Sequence, residues 1–168
     1  LVMAVDGMVA IETIKSGDKV ISTDPETMET SPKTVLETYI REVTTLVHLT
    51  VNGEEIVTTV DHPFYVKNQG FIKAGELIVG DELLDVNGNV LLVENFDVEL
   101  TDKPVKVYNF QVEDFHTYFV GNIFIWVHNA ECTIEFSNKS RLFQNARKTA
   151  EVFQCPAHPA GRFFCIHP

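Results

Sequence analysis

The strongest constraint in the sequence is a succession of short β-branched and aromatic segments cut by turn dipeptides, with no sustained helical period before residue 130. The segments are Val35–Ile40, Thr45–Thr50, Glu55–Thr59, Val90–Glu94 and Val105–Val112; the dipeptides are Asp24-Pro25, Asn52-Gly53, Asn87-Gly88 and Gly121-Asn122. Branched and aromatic side chains suit a pleated surface, while Gly, Asn and Asp supply the backbone conformations of tight reversals. The pattern predicts an all-β fold, with helix confined to brief turns such as residues 11–15. An internal echo accompanies it. Ile14-Lys15-Ser16-Gly17-Asp18-Lys19-Val20 and Leu77-Ile78-Val79-Gly80-Asp81-Glu82-Leu83 share the pattern apolar-x-x-Gly-Asp-x-apolar, each before a strand and a turn, which points to two related halves.

Composition changes near residue 130. Residues 1–129 hold 8 Lys or Arg against 21 Asp or Glu, whereas residues 130–168 hold 5 against 3. All three cysteines, Cys132, Cys155 and Cys165, fall in the second stretch, so a disulfide scaffold or a cysteine nucleophile is excluded from the first. Two units are therefore expected, residues 1–129 and a C-terminal flank of residues 130–168. The flank reads as partly helical, with Ser137 capping a helix over residues 138–153 before Cys155-Pro156 breaks it. A net charge of −11 argues against nucleic acid as a partner, and no apolar run is long enough for a membrane span.

The chemistry concentrates in histidines and one asparagine. His48 alternates within an apolar strand and reads as structural. His62 follows Thr59, whose hydroxyl could fix the ring, and Pro63 stiffens the exit. His116 follows the acidic pair Glu113-Asp114 and could be oriented by it. His128-Asn129 closes the apolar run Phe124-Ile125-Trp126-Val127 at the composition boundary. An asparagine amide can attack its own backbone carbonyl, forming a succinimide and cutting the chain after itself. The reaction becomes fast only if the amide is held in attack geometry and neighbours move the protons. The bond at stake is Asn129-Ala130. In the flank, Cys155, His158, Cys165 and His167 supply four soft ligands, enough in number for zinc, although the spacing matches no standard finger.

Five ordered motifs carry a family resemblance. They are Leu1-Val2-Met3-Ala4-Val5-Asp6-Gly7 with Ile11-Glu12-x-Ile14-x-x-Gly17-Asp18; Thr59-x-x-His62-Pro63-Phe64; Ala74-x-x-Leu77-x-x-Gly80-Asp81; Val107-Tyr108-Asn109-Phe110 followed by His116-Thr117-Tyr118; and Val127-His128-Asn129-Ala130. Residues 1–130 thus resemble a Hint domain, the fold of inteins, hedgehog autoprocessing domains and the bacterial intein-like domains that precede toxin modules in polymorphic toxins. The resemblance implies a horseshoe of two pseudo-twofold halves. It also implies single-turnover autoproteolysis of the chain's own backbone, with no cofactor required. Thr59 and His62 would serve an N-terminal thioester step, and His116, His128 and Asn129 the C-terminal cyclisation.

The family's opening segment, typically Cys-Phe-x-x-Gly-Thr, would stand before Leu1 and is not in this sequence, and Ala130 offers no hydroxyl or thiol. The expectation is cleavage at Asn129-Ala130 without splicing, by a monomer acting on its flanking segments within a bacterial secreted or cell-surface protein. Rival readings are a catalytically disabled Hint spacer and a zinc-binding tail.

Overall fold

The computed structural model describes residues 1–129. Within them the chain forms eleven strands: β1 (Val2–Ala4), β2 (Gly7–Val9), β3 (Lys19–Thr23), β4 (Thr30–Val51), β5 (Glu54–Thr58), β6 (Pro63–Val66), β7 (Gly70–Lys73), β8 (Glu82–Leu84), β9 (Val90–Val112), β10 (Thr117–Val120) and β11 (Ile125–His128). Two single 3₁₀ turns, Ile11–Thr13 and Ala74–Glu76, are the helical elements among the described residues. The neighbour order is β10-β11-β6-β8-β9-β4-β3-β1-β2, with β5 on β4 and β7 on β6; β1 also pairs with β10, so the path returns to its start. Every pairing is antiparallel. The all-β architecture expected from the turn pattern is therefore the one found. No described helix is long and apolar enough to cross a membrane. The expected helix over residues 138–153 lies outside the described residues.

Each turn dipeptide reverses the chain where expected. Asn52 and Gly53 both take positive φ (45° and 80°) between β4 and β5, which is the requirement of a tight two-residue hairpin. Two strand boundaries differ from expectation. Val35–Ile40 and Thr45–Thr50 are one strand, β4, and Val90–Glu94 and Val105–Val112 are one strand, β9. No glycine or proline interrupts residues 41–44, so β4 runs on. The pairing jumps from Val43↔Val105 to Thr45↔Leu100, so that residues 101–104 of β9 bulge out around Pro104, which has no N–H for a ladder. The mismatch is absorbed as a bulge instead of ending either strand.

The sequence echo is a structural repeat. In each half a 3₁₀ turn closes with the same bond, Ile14 N to Ile11 O and Leu77 N to Ala74 O, both 3.2 Å. Gly17 and Gly80 follow at φ 93° and 95°, a region that side chains rarely occupy. Their N–H groups bond Val35 O and Val93 O at 2.8 Å, and the aspartates bond back through Asp18 O to Val35 N and Asp81 O to Val93 N. The carboxylates complete the match: Asp18 Oδ2 accepts Lys15 N at 3.0 Å and Asp81 Oδ2 accepts Ile78 N at 2.9 Å. Each half thereby hangs its short strand on a long one, β3 on β4 and β8 on β9.

The β10–β11 hairpin lies at the centre and is buried on both faces. Tyr118, Val120, Ile125 and Val127 enter the main core, while Phe119 and Trp126 enter a second cluster with Phe71. This is the two-residue alternation of a strand, with both faces apolar.

The two aspartates offer a test of the repeat. Asp81 is buried and Asp18 only partly so. Asp81→Ala should therefore cost about 1.5–3 kcal/mol, the range for hydrogen bonds to charged groups, and Asp18→Ala less, as read by urea unfolding.

Candidate active site

The site is assembled where three adjacent strands end. β11 pairs β10 with Thr117 opposite His128, and pairs β6 with Val127 opposite Phe64. Continued one residue, the first register sets Asn129 across from His116, and Asn129 N donates to His116 O at 2.8 Å. Continued two residues, the second sets Asn129 across from His62. Because strand side chains alternate, Asn129 and His62 share the face of Val127 and Phe64, and His128 takes the other face. Four residues scattered over the sequence thus converge on one sheet edge.

Asn129 is buried, and its side-chain Oδ1 has no hydrogen-bond partner among the described residues. The same holds for His116 Nδ1. His116 adopts φ 53°, a left-handed conformation open to histidine at a cost and maintained only by its surroundings. Its ring centroid lies 6.3 Å from that of His128, whose own ring packs edge-on against Phe71 at 5.0 Å. Burial, together with the neighbouring His116, lowers the His128 pKa to about 4, with a backbone hydrogen bond to Asn129 acting in the opposite sense. The His128 ring is therefore neutral at neutral pH.

His62 is fully buried, with Phe64 and Tyr118 against its ring at 5.6 and 6.1 Å. Its loop is clamped at both ends: His62 N donates to Thr59 O, Ala74 N to His62 O and Gly75 N to Val60 O. A side chain on Gly75 would stand 3.1 Å from Val60 O, so glycine permits the close approach of the second 3₁₀ turn. Thr59, buried at the start of this loop, lines an open cavity of about 490 Å³ with Asp61, Pro104 and residues 41–45.

Three further residues, none of them among the candidate residues of the sequence, shape the site. Asn109 Oδ1 accepts the Tyr118 hydroxyl at 3.1 Å and Phe110 N at 2.8 Å, which fixes the ring beside His62. Phe71, from β7, covers His128. The Tyr-Asn-Phe and His-Thr-Tyr segments carry the signal for Asn109 and Tyr118; nothing local marks Phe71.

His48 lies apart. Its ring nitrogens contact Glu55 at 3.0 Å and Glu99 at 2.7 Å, and these two hydrogen bonds raise its pKa. It is a half-exposed link between β4, β5 and β9 and not a core residue. Among the described residues no group of three His, Cys, Asp or Glu is arranged to hold a metal ion. Ala130 and the possible zinc ligands Cys155, His158, Cys165 and His167 lie outside the described residues.

Comparison with known proteins places this geometry. The solution structure of a bacterial intein-like domain from Clostridium thermocellum is 63% identical, with TM-score 0.74 over 76% of this chain and 92% of that one. A DnaB intein from Synechocystis (18% identity, TM-score 0.60, 76% and 92% covered) and the gp41-1 intein (22%, 0.60, 76% and 91%) share the fold. An uncharacterized protein of Methanocaldococcus jannaschii is 38% identical over 76 residues, 43% of this chain and 10% of that protein, so the chain spans about a tenth of that relative. The pretoxin Hint domain family model matches residues 1–130, and with that match the two-halved all-β fold is accounted for: the chain belongs to the pretoxin Hint family.

Proposed function

We propose that this domain cleaves its own backbone after Asn129 by cyclisation of the asparagine side chain. The observation carrying this reading is the placement of Asn129: buried at the end of β11, and tied by its N–H to the carbonyl of His116, whose ring lies beside that of His128. The Asn129 amide nitrogen attacks the carbonyl carbon of Asn129, a five-membered succinimide forms, and the bond to the Ala130 nitrogen breaks. One proton leaves the attacking amide and one arrives at the departing amine. Nucleophile, electrophile and leaving group all lie in the chain, so the step is single-turnover and needs no cofactor.

The roles divide by environment. His116, with a ring nitrogen buried and unengaged among the described residues, takes the proton from the amide and returns it to the amine. His128 is neutral and donates its N–H to the carbonyl oxygen where negative charge develops, the arrangement that makes a preorganised donor effective. His62 and Tyr118 pack against each other on the core face and limit the space open to the asparagine side chain, which favours a rotamer near attack geometry. Thr59 and His62 line the loop that would serve chemistry on an upstream segment. In a pretoxin setting the cleavage releases the segment C-terminal to Asn129, in a bacterial secreted or cell-surface protein.

Mass spectrometry of the incubated chain tests the reading. A fragment ending at Asn129 and one water lighter than the free acid is expected, and Asn129→Ala should abolish it. If wild type and Asn129→Ala both stay intact over days, the reading fails. His116→Ala should slow cleavage on the order of a hundredfold or more, as loss of a general acid–base does.

The neutral state of His128 has its own signature in stability. Its folded pKa, about 4, lies below the ordinary 6.5, so the unfolded chain binds more protons between those values. The contribution is complete above about pH 6.5 and is lost as pH falls toward 4. His128→Gln should flatten that part of a Tm-against-pH curve; an unchanged slope would place the ring in water.

A further inference from the structure

We infer that Thr117 is a positioning residue that presents His116 to Asn129, by acting as a side-chain rung between β10 and β3. The inference rests on the cleavage reading above. Thr117 is wholly buried, and its single hydroxyl serves three partners. It donates to Thr23 O at 2.6 Å, accepts from Thr23 N at 3.1 Å, and lies 3.0 Å from Ser22 Oγ. Since its one hydrogen goes to the Thr23 carbonyl, Ser22 must be the donor in the third contact.

The described ladders join β1 to β3 and β1 to β10, but none joins β3 to β10. Thr23 therefore has a buried N–H and C=O facing β10 without a strand partner there, and one hydroxyl satisfies both. Buried backbone groups are costly to leave unpaired, which makes the tie strong.

Its location gives the tie a purpose. Thr117 comes directly after His116, whose left-handed φ must be imposed from both sides. On the upstream side Glu113 N donates to Thr34 O at 2.9 Å, Lys33 Nζ meets Asp114 Oδ2 at 2.8 Å, and the ammonium sits 4.1 Å over the Phe115 ring. That Lys33–Asp114 pair is largely exposed on the Asp114 side and weakened by solvent. On the downstream side the hold is the buried Thr117 hydroxyl. Between the two lies His116, with its carbonyl on Asn129 N and its ring beside His128. Thr117 is also directly opposite His128 in the β10–β11 ladder, so a shift of Thr117 displaces both histidines.

The test compares Thr117→Val, Thr117→Ser and the wild type in the full chain, following cleavage by mass spectrometry and amide hydrogen exchange by NMR. Valine keeps the shape and removes the hydroxyl. Cleavage is expected to slow roughly tenfold to a hundredfold, the scale of a misplacement near 1 Å. The Asn129 amide should exchange faster, while Leu49 and Ile56 in the β4–β5 pairing keep their protection; serine should restore both rate and protection. If Thr117→Val does not fold, the pair Thr117→Ser and Thr117→Ala, which differs only in the hydroxyl, makes the same comparison. Wild-type rates and protection in the valine variant would overturn the inference, as would loss of protection throughout the domain, which would make the hydroxyl a general structural tie. Should the wild type itself fail to cleave, the cleavage reading falls, and Asn129 exchange still decides whether Thr117 holds the His116–Asn129 contact.

Discussion

Burial of the β10–β11 hairpin on both faces is the constraint on which the rest of the structure depends. A hairpin with apolar side chains alternately up and down needs a core on each side, and the two halves of the domain supply them. Polar groups within it must then be paired internally, because water is excluded and an unmade hydrogen bond costs more than a made one gains. Thr117 is paired with Thr23, and Tyr118 with Asn109. The hairpin is thereby a rigid spine, and the residues at its end inherit that rigidity.

The spine ends at Thr117 and His128, where β10 and β11 both stop and β6 enters alongside. The candidate site is this edge. It is neither a surface cleft nor a flexible loop, and its asparagine is buried because the hairpin leading to it is. The double-sided core removes side-chain freedom at this edge in advance, which is the condition that the proposed cyclisation of Asn129 needs. The repeated Gly-Asp turns contribute from a distance: they fix β3 and β8 on the long strands, and β3 carries Ser22 and Thr23, against which Thr117 is set.

Histidine environments within one small domain separate cleanly by burial and charge. His48 lies between two carboxylates in solvent reach and favours its charged form. His128 is enclosed beside another imidazole and favours the neutral form. The same side chain is therefore a surface link in one place and an enclosed neutral ring in another, and the difference owes nothing to local sequence: both histidines come after apolar strand residues.

By itself the sequence determined what is local. Asn52-Gly53 reverses the chain because only such residues take two successive positive φ values, and the Gly-Asp echo became a repeat because each copy carries its own hydrogen-bonding set within a few residues. The Val-His-Asn terminus and the His-Thr-Tyr segment were legible for the same reason. Tertiary structure alone decided what depends on pairing between distant segments. That Val35–Ile40 and Thr45–Thr50 are one strand results from a continuous partner in β9, which also absorbs the Pro104 mismatch. That Asn129 N meets His116 O results from the register of β11 on β10, and a register slip of one residue would have turned the asparagine to the opposite face. That Thr117 replaces a ladder between β3 and β10 could not be read from a threonine in an aromatic run, because its meaning comes from a backbone more than ninety residues away in the chain.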